Sequence, residues 1–141
     1  MIRKTTVTKG NDPKRAWHLI DLSNQTLGRA CTQIAALLMG KGKTDFTYNQ
    51  DAGDYVVAIN AGKIQVTGNK HTQKEYHHYS GYAGGLKTLT FDEMMGKDPR
   101  EVILHGVAGM LPKNKLRDAR LTRLKVFVDG EHPYSDKLGK N

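Results

Sequence analysis

Five consecutive residues, Tyr55-Val56-Val57-Ala58-Ile59, constrain this chain more than any other stretch. They are apolar on both faces, the mark of a strand covered from two sides, and such strands belong to parallel sheets whose crossovers lay helices over them. Upstream, Trp17-His18-Leu19-Ile20-Asp21-Leu22 reads as another short buried strand, closed by the turn-prone Ser23-Asn24-Gln25. Between the two, Leu27, Ala30, Cys31, Ile34, Leu37 and Leu38 recur at helical spacing. Thr26 or Asn24 can cap that helix, and Gly40 supplies its stop. Strand, helix, strand makes a parallel unit with a right-handed crossover.

The same pattern continues downstream. Lys63-Ile64-Gln65-Val66-Thr67 alternates polar with apolar residues and predicts a further, half-exposed strand. Asp98-Pro99-Arg100-Glu101 combines an N-cap acid, proline at the first helical position and a glutamate three residues after the cap, resembling a capping box. Val102, Ile103, Val107, Met110 and Leu111 then share one face until Pro112. Leu124 to Val128 is the last strand candidate. With no internal repeat, low-complexity tract or linker, the expectation is one α/β domain over 1–141. Its predicted architecture is a three-layer α/β/α stack with a short, mainly parallel sheet of about four strands. Polar extensions are expected near 1–15 and 130–141.

A chain of 141 residues suffices for one core. Its 22 Lys and Arg against 14 Asp and Glu leave a charge of +8, whose simplest consequence is a polyanionic partner. No run approaches the ~20 apolar residues of a bilayer span, so no membrane association is expected. Met1 to Thr6 leads into a polar stretch without an apolar segment of signal-peptide length, and export is not expected. Cys31 stands alone, which precludes an internal disulfide, and its helical spacing predicts a small buried side chain.

Cations concentrate in two segments. From Leu111 to Lys125, six of them stand against the single acid Asp118. Leu116, Leu121 and Leu124 can anchor this segment to the body, leaving Lys113, Lys115, Arg117, Arg120, Arg123 and Lys125 to meet phosphates. On this reading, replacing Arg117 or Arg120 by alanine weakens binding with little loss of folding. The plainer alternative is a solvated basic face. The other segment runs through Lys70, His71, Lys74, His77, His78 and Tyr79 to Tyr82, before Gly84-Gly85. Rings can stack on unpaired bases while cations neutralise phosphates, a combination that fits RNA better than duplex DNA. No zinc-finger spacing, helix-turn-helix signature or long basic helix points to a major groove.

Competing chemistry is weaker. His71, His77 and His78 invite a metal site, but adjacent histidines point apart and no cysteine or suitably spaced carboxylate completes a shell. Gly40-Lys41-Gly42-Lys43-Thr44 resembles the tail of a phosphate-binding loop, yet Leu37 replaces the earlier glycine, and the segment follows a helix instead of opening one. Lys41 and Lys43 read as helix-end cations able to meet RNA. His18 and His105 read as structural, and Asp92 with Glu93 as an exposed acidic pair. No catalytic constellation, cofactor site or small-molecule substrate site is expected. A metal- or nucleotide-dependent hydrolase is the rival class, and regulation of messenger RNA is a further reading of the same cationic surface.

Several motifs occur in order: Thr26-Leu27-Gly28-Arg29, Gly53-Asp54-Tyr55-Val56-Val57, Asn60-Ala61, Val66-Thr67-Gly68-Asn69-Lys70, Tyr79-Ser80-Gly81, Gly84-Gly85, and Gly109-Met110-Leu111-Pro112-Lys113 leading to Leu124-Lys125-Val126. Over nearly its whole length the chain thereby resembles family thirteen of the large-subunit ribosomal proteins, in its bacterial form. The resemblance implies an α/β/α fold, a cytoplasmic location in the ribosome, binding to large-subunit ribosomal RNA beside neighbouring ribosomal proteins, and early entry into subunit assembly. It places RNA contacts at Lys41, Lys43, Lys70, His77, His78, Lys113 and the basic residues that follow. The longer polar N-terminus and the C-terminal tail depart from the bacterial pattern, and no contacts are assigned to them.

Overall fold

The β-branched run at the centre of the sequence is the central strand of the sheet. The computed structural model describes residues 14–138, so most of the expected N-terminal extension, 1–13, and the last three residues lie outside the described part. Strand β1, Trp17–Asp21, leads into helix α1, Leu27–Met39, and strand β2, Tyr55–Ile59. β1 and β2 pair in parallel register, Trp17 opposite Tyr55 through Asp21 opposite Ile59. The other edge of β2 is taken by the late strand β5, Leu124–Val126, also parallel, giving the order β1-β2-β5 among the described residues.

The stretch 63–67 is not the additional strand expected from its alternation. Asn60 adopts a left-handed conformation at φ 59°, and a 3-10 turn, Ala61–Lys63, follows. β2 already has a neighbour on each edge, so this segment finds its partners elsewhere. Gln65 accepts from the Leu27 amide at 2.8 Å and donates to the Gln25 carbonyl at 2.9 Å, a single parallel bridge with Thr26. Its alternation survives as burial: Ile64 is buried and Val66 half-buried.

Between β2 and the second long helix lie elements that sequence periodicity did not reveal. A short helix α2, Lys70–Gln73, precedes an antiparallel hairpin of β3, Glu75–Tyr79, and β4, Leu86–Thr90. Helix α3, Phe91–Lys97, starts at Thr90, whose hydroxyl accepts from the Glu93 amide while the Glu93 carboxylate accepts from the Thr90 amide. The reciprocal capping box therefore lies here, and Glu93 is not merely half of a solvated acidic pair. Helix α4, Pro99–Met110, begins as predicted, with Asp98 accepting from the Arg100 amide and proline in the first turn.

Alternation along the strands sorts the core. Ile20, Leu22, Val56, Ala58 and Leu124 face α1 and α4 and join Ala30, Cys31, Ile34, Leu38, Ile103 and Val107 in one buried cluster. α1 and α4 approach closely because residue 106 is glycine: a Cβ there would lie 2.7 Å from Cys31 Sγ. Helix α5, Leu116–Thr122, packs beside them. The opposite face of β1 and β2 carries Trp17 stacked on Tyr55, with centroids 4.4 Å apart. Tyr134 adds to that stack at 5.2 Å, and helix α6, Ser135–Leu138, lies against β1. Thus the described part of the C-terminal stretch returns to the sheet and supplies the third layer of this mixed α/β fold.

Candidate nucleic-acid interface

The cations separate into two populations by burial. Arg123 donates from Nη1 and Nη2 to the two Asp51 oxygens at 2.5 and 2.6 Å, and also reaches the Ala119 and Leu38 carbonyls. Arg120, 2% exposed, sets its Nε 3.5 Å from the same carboxylate, and Arg15 lies 3.7 Å away. Burial by itself would raise the Asp51 pKa, but the Arg123 hydrogen bonds and the surrounding guanidinium charges outweigh it and hold the carboxyl below its ordinary range. Gly53 makes the approach possible, since any Cβ there would collide with the Leu38 carbonyl at 1.7 Å. Arg120 and Arg123, expected to be free for phosphate, are instead internal braces joining α5 to the 51–54 loop.

Lys43 belongs with them. It follows α1, whose C-terminus is closed by Gly40 at φ 76° with the Lys41 amide donating to Ala36. Its amine donates to the Lys14 and Ala52 carbonyls, each at 2.9 Å, and to the Asp54 carboxylate. Asp54 is 5% exposed and also accepts from the Ala16 amide at 2.9 Å, with His18 Nε2 3.0 Å away. Here too burial pushes the carboxyl pKa up, and the Lys43, Ala16 and His18 hydrogen bonds bring it below the usual value. This is a structural bond network at the end of a helix, unlike a nucleotide loop at its start.

Part of the outward population gathers near the end of α4. Lys113 and Lys115 are exposed, and Arg117 is half-buried, just beyond the last residue of α4, Met110. Met110 lines a groove of about 360 Å³ whose other walls carry Lys70, Lys74, Tyr76 and the opening of α1 at Gly28. Lys74 and Lys70 therefore face the same end of α4 from which 113–115 emerge. Lys41 sits at the far end of α1. Lys125, on β5, lies beside Asp98, Arg100 and Glu101 at the start of α4, roughly 18 Å of helix away from Met110.

The histidines do not converge. His71 Nδ1 is 2.9 Å from Asp92, whereas His77 Nδ1 meets the Thr88 hydroxyl at 3.0 Å and its Nε2 lies 3.6 Å from Glu75. His78 is exposed, opposite Lys87 in the hairpin register. Among the described residues no group of three or more His, Cys, Asp or Glu is arranged to hold a metal ion. Tyr79 and Leu86, paired across the hairpin, are 63% and 60% exposed, and Tyr82 at the tip is 80% exposed. The hairpin thus carries rings and cations outward on a backbone whose root, Tyr76, is buried with Phe91 and Val102.

Sequence reasoning assigned no partner contact to Arg29, Lys87 or Leu86 and read His105 as structural. Arg29 had a readable signal: a cation in the first turn of a helix opposes the dipole, and α1 has no acid there to offset it. His105, read as structural, packs edge-on to Tyr76 at 5.4 Å but stays exposed on the groove. Lys87 and Leu86 become visible only once the hairpin register is known.

Fold and surface together define a small basic α/β scaffold, with internal ion pairs bracing the body and, among the described residues, further cations and rings displayed outward. A family model described as ribosomal protein L13 matches residues 15–133. The chain belongs to that family. Similar relatives are the large ribosomal subunit protein uL13 of Clostridioides difficile (strain 630), 49% identical over 94% of this chain and 92% of the relative, and that of Finegoldia magna, 44% identical over 93% and 92%. The uL13 of Vesicomyosocius okutanii is 48% identical over 97% of this chain and 96% of the relative.

Proposed function

We propose that this protein is a non-catalytic constituent of the large ribosomal subunit that binds large-subunit ribosomal RNA and supports early subunit assembly. Family membership across residues 15–133 carries the reading, and the division of the cations gives it a mechanism. Arg120, Arg123 and Lys43 neutralise Asp51 and Asp54 inside the protein. Phosphate contacts fall to Lys41, Lys70, Lys74, Lys113, Lys115, Arg117 and Lys125, with His71, His77, His78 and Tyr79 reaching sugar edges and unstacked bases. A rigid body fixes these groups, so RNA folded to match them binds without the protein having to reorganise. Neighbouring ribosomal proteins are the further partners of such a constituent.

The test is salt-dependent binding to large-subunit RNA. Neutralising about six phosphates gives a log–log slope of about −4 to −5. An affinity independent of salt contradicts the mechanism.

A further inference from the structure

The fold covers three of the six tyrosines, Tyr55, Tyr76 and Tyr134, wholly or in part, and leaves Tyr48, Tyr79 and Tyr82 outward. The last two belong to the hairpin. Tyr48 stands apart, 81% exposed on the loop between α1 and β2, and its mounting is rigid. Its ring meets Phe46 edge-on, with centroids 5.1 Å apart, and Phe46 packs against the main core cluster. The same loop is tied down along its length: Lys43 donates to the Ala52 carbonyl, Arg15 donates to the Gly53 carbonyl at 2.7 Å, and Arg123 holds Asp51. A ring held outward on a fixed loop loses little conformational freedom when a flat partner stacks on it.

The charge beneath the loop selects that partner. Among the described residues four cations, Arg15, Lys43, Arg120 and Arg123, converge on two carboxylates, Asp51 and Asp54, which leaves a surplus of two positive charges. Arg120 and Arg123 are 2% and 6% exposed. Charge held in a low-dielectric interior is poorly screened, so its field reaches the surface above it. Lys14, whose carbonyl accepts from Lys43, and Lys41, just past the α1 cap, are both exposed and outnumber Asp45, the remaining acid of the loop. A fixed exposed ring beside surplus positive charge is the pairing that binds single-stranded nucleic acid, the ring taking a base and the cations the backbone.

We propose that Tyr48 is a base-stacking residue of a second RNA contact, in which Lys14, Arg15 and Lys41 attract the backbone and one unpaired base lies on the exposed ring. This contact is at the far end of α1 from the cations near the end of α4, about 20 Å away along a 13-residue helix. One bound RNA therefore touches the body at both ends of α1. The inference rests on the RNA-binding reading and adds to it a ring and a surface that the two cationic segments do not include.

Binding of the full chain to large-subunit ribosomal RNA, measured across a salt series for Tyr48→Leu and Tyr48→Phe, tests the assignment. Leucine keeps apolar bulk but removes the π-face, and should weaken binding about tenfold with an unchanged salt slope, because a stacked base releases no counterions. Phenylalanine keeps the face and should bind within about twofold of the parent. Lys41→Ala should instead make the slope shallower by about one. At positions this exposed the urea midpoints of all three variants should match the parent, which separates a lost contact from a lost fold. Equal affinity of Tyr48→Leu and the parent overturns the inference while salt-dependent RNA binding still stands. An equal loss in Tyr48→Phe and Tyr48→Leu overturns stacking and assigns the contact to the hydroxyl. A parent that binds no large-subunit RNA overturns the RNA-binding reading itself, and this inference with it.

Discussion

Arg123 and Asp51, 72 residues apart in the chain, form a two-point ion pair at 2.5 and 2.6 Å that ties the end of α5 to the loop before β2. The guanidinium is nearly buried and the carboxylate mostly so. Removing one partner leaves the other charge desolvated and unpaired, which costs about 3–5 kcal/mol. Arg123→Ala is expected to lower the urea midpoint accordingly, and Arg120→Ala to lower it as well. A midpoint unchanged in Arg123→Ala would show that the pair does not brace the fold.

Lys113→Ala and Lys115→Ala should behave in the opposite way. Both side chains are exposed, so stability should stay within about 0.5 kcal/mol of the parent. Each substitution should make the salt slope of RNA binding shallower by about one. Arg117→Ala, at a half-buried position, should also weaken RNA binding. If the slopes of the lysine variants match the parent, phosphate contact lies elsewhere.

Acid stability follows from Asp51 and Asp54. Both have pKa values lowered from an ordinary 3.8, so the folded state binds their protons less readily than the unfolded state. The stabilisation is complete above the unfolded pKa and disappears as pH falls through the lower folded values. Urea midpoints should therefore drop below about pH 4, and the drop should be smaller in Asp51→Asn, which starts from lower stability. A parent and variant with parallel curves through that range would refute the linkage.

Cys31 is fully buried, and burial pushes its thiol pKa up to about 11. Since the thiolate is the reactive form, its fraction at pH 8 is about two orders of magnitude below that of a free cysteine. Alkylation by iodoacetamide should be slow in native buffer and fast in urea. Equal rates in the two conditions would place Cys31 at the surface.

Gly106→Ala tests the contact of α1 with α4. Its Cβ would stand 2.7 Å from Cys31 Sγ, and overpacking of this kind costs about 1–3 kcal/mol. Cys31→Ala removes the obstructing sulfur, so the double variant should be more stable than the sum of the two losses predicts. Strict additivity would mean that the helices do not meet there.

What was legible in advance was local. β1, α1, β2 and α4 each declare themselves in a few consecutive side chains, because apolar period and end signals such as Asp98-Pro99 and Gly40 act within one or two turns. The hairpin did not declare itself, since four of the five β3 side chains are exposed and leave almost no apolar alternation to read. The segment 63–67 had the alternation but lost its place in the sheet to β5, a competitor more than fifty residues away. Cation type and spacing marked the 111–125 segment correctly as charged, yet said nothing about which charges point inward. Arg120, Arg123 and Lys43 became struts only because folding brings Asp51 and Asp54 to them, and ion pairing depends on distance in space. Sequence alone determined the α/β frame and the excess of positive charge; tertiary structure decided which of those charges the frame keeps for itself and which it leaves for a partner.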